Sequence, residues 1–236
     1  MNIAYTPEYL LVRESYEWLF ETNGTSDDPI ILGNGKYYAE VISYDQYRTE
    51  NGLKRNYCGA RISVRDEHGQ IITDFKMIGE NLVFLELIKH QNGKEYFIFR
   101  KDLYGYSVMD IESGVTVDYI PRKSFIPLGG VHMEEETFIC CGAAYCKINN
   151  ILAIDGCYWA CPYDFEFYDF SNPMNLPFPL IGNAFDLVKR KGIDIVIDIR
   201  ALDFAESGKC VFTIEKDGKP TKETLEIDVL EEFNFG

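Results

Sequence analysis

The sequence holds only three histidines in 236 residues, His68, His90 and His132, and two tryptophans, Trp18 and Trp159. So few imidazoles leave little material for a histidine-rich metal centre or a proton relay. Cations are also outnumbered: 23 Lys and Arg face 38 Asp and Glu, a formal net charge of −15. Phosphate backbones are held by clustered Lys and Arg, so neither nucleic acid nor an anionic membrane surface is an expected partner. No apolar run reaches the ~20 residues of a membrane span. The opening MNIAYTPEYL has no basic stretch followed by an apolar one, so no secretory signal is expected. A G-x-x-x-x-G-K-[ST] loop and a G-x-G-x-x-G turn are both missing, which removes the commonest phosphate cradles.

What is abundant is aromatic and aliphatic mass. The chain is 46% hydrophobic, with 16 Tyr and 16 Phe. That composition belongs to a folded domain and favours strands. The strand signals come in hairpin-like pairs. Ile30–Leu32 and Lys36–Tyr44 flank Gly33-Asn34-Gly35, and Tyr57–Asp66 and Gln70–Met77 flank Glu67-His68-Gly69. Leu82–His90, Tyr96–Arg100, Tyr106–Ile111 and Val115–Ile120 read as four short strands joined by tight turns. Polar residues 45–56 read as an exposed loop. Glu136–Lys147 opens a further unit that the central stretch Asn149–Pro173 completes. There Asp155–Gly156 reads as a tight turn, and Asp164 to Phe170 alternates acid and aromatic, placing Phe165 and Phe167 on one face. Pro173–Pro179 is a proline-rich loop. Asn183–Lys191 suits a short helix capped by Asn183 and stopped by Gly192. Ile193–Arg200, Cys210–Lys216, a turn at Asp217–Gly218 and Thr224–Val229 make a last, shorter meander. Residues 6–22 fit a helix capped by Thr6 with Pro7 at its first position, or two strands, YLLVR and YEWLF, which the β-rich context favours slightly.

Three strand ends share a form: apolar residue, variable residue, Asp, then a turn. They fall at Asp66, Asp110 and Asp169, so 44 residues separate the first two and 59 the next. Periods of roughly 40–50 residues mark propeller blades. The pattern resembles the β-propeller proteins of WD-repeat type, with Arg65, Met109 and Tyr168 standing before the aspartate where those repeats carry Trp. The resemblance implies an all-β fold of repeated antiparallel four-stranded meanders, a small or irregular β-propeller. A β-sandwich is the alternative. One domain over residues 1–236 is expected, with units at 30–78, 81–121, 134–181 and 192–230.

Five of the seven cysteines, Cys140, Cys141, Cys146, Cys157 and Cys161, crowd into 22 residues. Their spacings, C-C, C-x₄-C and C-x₃-C, are not those of a zinc site, and free thiols pack well as small apolar groups. Reduced thiols in the cytoplasm are expected, with no metal and no cofactor. His68 and His90 fall in or beside turns, where solvent is expected; His132, after Gly129–Gly130, is the histidine to inspect. The basic pairs Lys54–Arg55 and Arg122–Lys123 read as solvated. Tyr104, Tyr106, Tyr158, Trp159, Tyr163 and Asp164 cluster in the two best units and are the candidate binding residues, because Tyr and Trp are enriched at interfaces. The expected function is a non-enzymatic scaffold presenting an acidic, aromatic surface to a protein partner, a basic one by charge complementarity, as an immunity or inhibitor protein would. One alternative is a carbohydrate hydrolase drawing two carboxylates from Asp155, Asp164, Glu166, Asp194 and Asp198. Another is half of a larger β assembly, hence a homo-oligomer.

Overall fold

The structure is a computed structural model; it describes residues 1–50, 52–130, 132–159, 161–190, 192, 199–216 and 219–233. Among the described residues it is built of antiparallel sheets in chain order, with three short α-helices. The first sheet holds β1 (Thr25–Ser26), β2 (Ile30–Leu32), β3 (Tyr37–Glu50), β4 (Leu53–Asp66) and β5 (Ile71–Ile78). The second is the meander β6 (Leu85–Lys89), β7 (Glu95–Phe99), β8 (Tyr106–Asp110) and β9 (Thr116–Tyr119). A second four-stranded meander follows, of β10 (Ile139–Cys146), β11 (Ile151–Cys157), β12 (Asp164–Asp169) and β13 (Leu180–Asn183). The fourth sheet has β14 (Ile199–Phe204), β15 (Cys210–Lys216) and β16 (Lys219–Ile227). No helix of the described residues is long and apolar enough to cross a membrane.

The chain divides into two compact units, residues 1–87 with 96–137, and residues 88–95 with 138–236. In the first, two sheets pack face to face. Tyr37, Ala39, Val41, Ala60, Ile62, Val64, Phe75 and Met77 meet Leu85, Phe97, Phe99 and Met109. The Phe75 and Phe99 rings lie 4.2 Å apart, and Tyr37 meets Phe97 edge-on at 5.2 Å. In the second, Phe165 and Phe167 of β12 pack with Cys146, Ile151, Ala153 and Cys210. The helices α2 (Ala184–Arg190) and α3 (Val229–Phe233) close this core through Leu187, Val188 and Val229.

The strand-end aspartates share one job. Asp66 Oδ1 accepts the N–H groups of His68 and Gln70, both at 2.9 Å. Asp110 Oδ1 accepts those of Glu112 (3.0 Å) and Ser113 (3.2 Å). Asp169 Oδ1 accepts that of Ser171 at 2.9 Å. Each side chain closes the turn that its own strand end opens. A fourth case was not anticipated. Asp228, directly after β16 and 59 residues beyond Asp169, accepts from Leu230 (3.1 Å) and Glu231 (3.2 Å).

Several expectations are corrected. Residues 6–22 are not strands. Thr6 Oγ1 accepts from the Tyr9 N–H, Pro7 opens α1 (Pro7–Glu14), and one 3-10 segment follows at Glu17–Glu21. The cap and the proline decide what tyrosines suited to either state leave open. The short strand β1, which has no strand signal in the sequence, pairs with Ile42 and Ser43 of β3. Residues 45–56 are not an exposed loop but the outer half of a ribbon paired from Tyr37↔Asp66 to Glu50↔Leu53. Asp155–Gly156 is not a turn: both sit inside β11, opposite Phe165 and Asp164 of β12. A Cβ on Gly156 would stand 2.1 Å from the Ile139 carbonyl oxygen, so glycine is needed there for close backbone approach. His90 is not solvated but 3% exposed. Its Nδ1 accepts from the Asn92 N–H, leaving Nε2–H to donate to the Phe170 carbonyl at 3.0 Å. Residues 193–198, with Asp194 and Asp198, and the expected turn at 217–218 lie outside the described residues, as does Lys191 at the end of the expected helix.

Candidate functional site

With Asp155–Gly156 held in the strand, the chain leaves β11 at Tyr158 and re-enters β12 at Asp164. The loop between them carries Tyr158, Trp159, Cys161, Pro162 and Tyr163 on the surface. The Cys161 N–H donates to the Tyr158 carbonyl at 2.9 Å and fixes the bend. Trp159 is 67% exposed, Tyr158 40% and Tyr163 38%. Large rings left this open on a short loop cost hydration that core burial would have relieved.

Beneath them lie acids. Along β12 the period of two sends Phe165 and Phe167 into the core and Glu166 to the opposite face. Glu166 is 8% exposed, and its two oxygens accept from two phenols: Oε1 from Tyr158 at 3.1 Å, Oε2 from Tyr168 in a short bond. Burial raises the Glu166 carboxyl above the ordinary range, while the two phenol bonds oppose the rise. The Tyr158 ring also meets Phe138 edge-on at 5.6 Å. Tyr158 is therefore held at both ends, which braces this side of the loop. Asp164 begins β12 and serves α2 as well. Its Oδ1 accepts from Phe165 (2.7 Å) and from the Phe185 N–H (3.2 Å). Burial lifts its carboxyl to about 6. Asp155 is raised by burial too.

The remaining candidates lie elsewhere. Tyr104 and Tyr106 belong to the first unit and are 8% and 6% exposed. Gly105 between them has φ +91°, and a Cβ on it would stand 2.1 Å from the Tyr119 carbonyl oxygen. The pair thus flanks a glycine-only turn, with Tyr106 against Tyr119 at 5.5 Å. His132 is exposed. All seven cysteines are free thiols, and no three His, Cys, Asp or Glu side chains converge among the described residues.

Sequence reasoning missed a buried charge cluster in the first unit. Arg13, in the last turn of α1, donates to the carbonyls of Lys101 (2.8 Å) and Lys76 (2.7 Å), so one side chain ties the helix to β5 and to the connection that follows β7. Tyr9 donates to Asp102 at 3.1 Å. Burial lifts Asp102 to about 6, with the Arg13 charge opposing. In front of this cluster is a cavity of about 400 Å³ whose wall includes Tyr5, Tyr9, Arg13, Lys76, Lys101 and Asp118. Its acids are occupied. Asp118 accepts from Lys101 (2.8 Å) and Ser107 (2.6 Å), and Asp74 from Arg61 (3.1 Å) and Ser63 (2.8 Å). The signal lay in Arg13 and Asp102, 89 residues apart in the sequence, which no local pattern joins.

No family model matches this chain, and no curated protein does. Among solved structures the chain is similar to TolB from Acinetobacter baumannii, at 12% identity and a TM-score of 0.28. The match covers 87% of this chain and 55% of that one, so the chain spans about half of that protein's length. A likeness this distant assigns neither a family nor an activity. What the geometry offers is a braced aromatic loop over raised carboxylates in one unit, and a paired-charge cavity in the other.

Proposed function

We propose that this chain is a non-enzymatic binding protein, a scaffold of propeller-like meander blades that presents the 158–163 loop to a basic protein partner. The observation that carries the proposal is Trp159, two-thirds exposed between Tyr158 and Tyr163, with Tyr158 anchored from below by Glu166. A Trp between two Tyr, one of them braced, is the composition of an interface centre. Its ring face also accepts a Lys or Arg. A net charge of −15 speeds the encounter with a cationic surface, as an immunity or inhibitor protein requires. Free thiols throughout fit a reducing compartment, and the cytoplasm is part of the same proposal.

The paired-carboxylate hydrolase is less well supported. Asp164 and Glu166 share a strand face, yet Asp164 serves α2 and Glu166 serves two phenols. The proposal is tested by affinity capture from native lysate at low and high salt. A basic protein retained at low salt and released at high salt is expected. Retention of nothing basic by the folded protein would sink it.

A further inference from the structure

The cavity beside α1 is about 400 Å³, within the roughly 300–1,000 Å³ of small-molecule sites. Each charged side chain in its wall already faces an opposite charge. Lys101 pairs with Asp118 at 2.8 Å and Asp74 with Arg61 at 3.1 Å. Lys76 pairs with Glu17, and Arg13 lies beside Asp102 while donating to two carbonyls. The polar hub is Asp118. Its Oδ1 accepts from Lys101 and from Ser107 Oγ at 2.6 Å. Its backbone N–H donates to the Tyr5 hydroxyl at 2.9 Å, and that hydroxyl bonds the carboxyl in turn. The Lys101 ammonium also stands 5.6 Å from the Phe99 ring. A carboxylate has about four lone-pair sites and an ammonium three N–H groups, so acceptor and donor capacity remain side by side at the Asp118–Lys101 pair. Two large apolar side chains flank this hub in the open, Tyr5 at 62% and Leu10 at 50% exposure.

This chemistry separates three classes of ligand. An ion of either sign would have to compete with one member of an existing pair. A wholly apolar molecule would strip water from Asp118 and Lys101 and give nothing back. A hydroxyl donates and accepts at once, so it fits between a carboxylate and an ammonium without unbalancing either, and bonds to charged groups are the stronger ones. A ring with hydroxyls on its edge and C–H groups on its faces also suits an exposed aromatic platform. We propose that a neutral pyranose sugar binds in this cavity, with one C–H face on the Tyr5 ring and neighbouring hydroxyls bridging Asp118 and Lys101. The site lies wholly within the first unit and is independent of the 158–163 loop.

The test uses the full chain, isotope-labelled, in NMR titrations with glucose, galactose, mannose and N-acetylglucosamine. Acetate, methylammonium and cyclohexanol are the anionic, cationic and apolar controls. At least one sugar is expected to bind with a Kd of about 1 mM, and about tenfold or more tighter than each control. The amide shifts it causes should gather at Tyr5, Lys101, Ser107 and Asp118. Tyr5→Ala should weaken this sugar by about tenfold or more, and Tyr5→Phe, which keeps the ring, by less, with circular dichroism unchanged in both. Trp159→Ala should leave the binding unaltered, which separates it from the function proposed above. No binding of any of the four sugars by the folded protein, a control bound as tightly as the best sugar, shifts gathered elsewhere, or no effect of Tyr5→Ala would each overturn the proposal.

Discussion

At Asp66, Asp110 and Asp169 the third strand of a meander ends in the same way, with a carboxylate oxygen accepting the N–H two residues on. The connection that enters that third strand differs in every case. Between β3 and β4 it is a two-stranded ribbon bearing Arg48, Lys54 and Arg55. Between β7 and β8 it is the stretch 100–105, with Arg100 buried, Asp102 partly buried and Gly105 in a left-handed conformation. Between β11 and β12 it is the aromatic loop around Trp159. The exit turn is fixed by backbone hydrogen bonding, so one side chain solves it each time. The entry connection carries no such constraint and is where charge and aromatic groups collect.

Entry and exit should therefore respond differently to substitution. The largest effect is expected at Gly105 in the second sheet's entry. Gly105→Ala forces a Cβ onto the Tyr119 carbonyl in a left-handed conformation and should cost on the order of 4 kcal/mol. Chemical denaturation would show it; a loss below about 1 kcal/mol would mean that the turn relaxes freely. Next comes Arg13→Ala, which frees two carbonyls and leaves Asp102 buried without its nearby cation, at about 3 kcal/mol. The exit turns should rank by burial. Asp110→Ala, at a buried site, should cost about 2 kcal/mol and Asp66→Ala, partly exposed, about 1 kcal/mol. Equal or inverted losses would contradict the ranking by burial.

A smaller effect depends on pH. Burial lifts Asp102 from 3.8 to about 6, so the folded chain keeps a proton that the unfolded chain releases. Its stabilising contribution is complete below pH 4 and falls as pH rises to 6, by on the order of 3 kcal/mol. Asp164, also raised to about 6, acts in the same direction. Asp102→Asn removes the titrating group, so its fall in melting temperature between pH 4 and pH 7 should be shallower than that of the unsubstituted protein. Parallel curves for the two proteins would contradict the burial argument.

Most strands were legible in the sequence because they alternate or run apolar between Gly, Asn or Asp turns; β1 and β13 were not. The shared aspartates were legible as well, for Asp66, Asp110 and Asp169. Asp228 escaped because a helix, not a turn, follows it. The ribbon at 44–58 was hidden by its polarity: its register comes from one-to-one backbone pairing, which leaves no apolar period. His90 looked solvated because Phe170, which accepts its hydrogen bond, lies 80 residues away. At the candidate site, Trp159, Tyr158 and Tyr163 could be named from composition. Their exposure could not, since it depends on the close approach at Gly156 that moves the bend from 155–156 to 158–163.

The most direct test is calorimetric titration of a basic partner retained in the salt-dependent capture, using the unsubstituted protein and Trp159→Ala. Trp159 lies on the surface, so the variant should stay folded within about 0.5 kcal/mol. The expected result is an affinity loss of about thirtyfold or more in Trp159→Ala, as for a central interface residue. Unchanged affinity would contradict the assignment of the 158–163 loop as the binding surface.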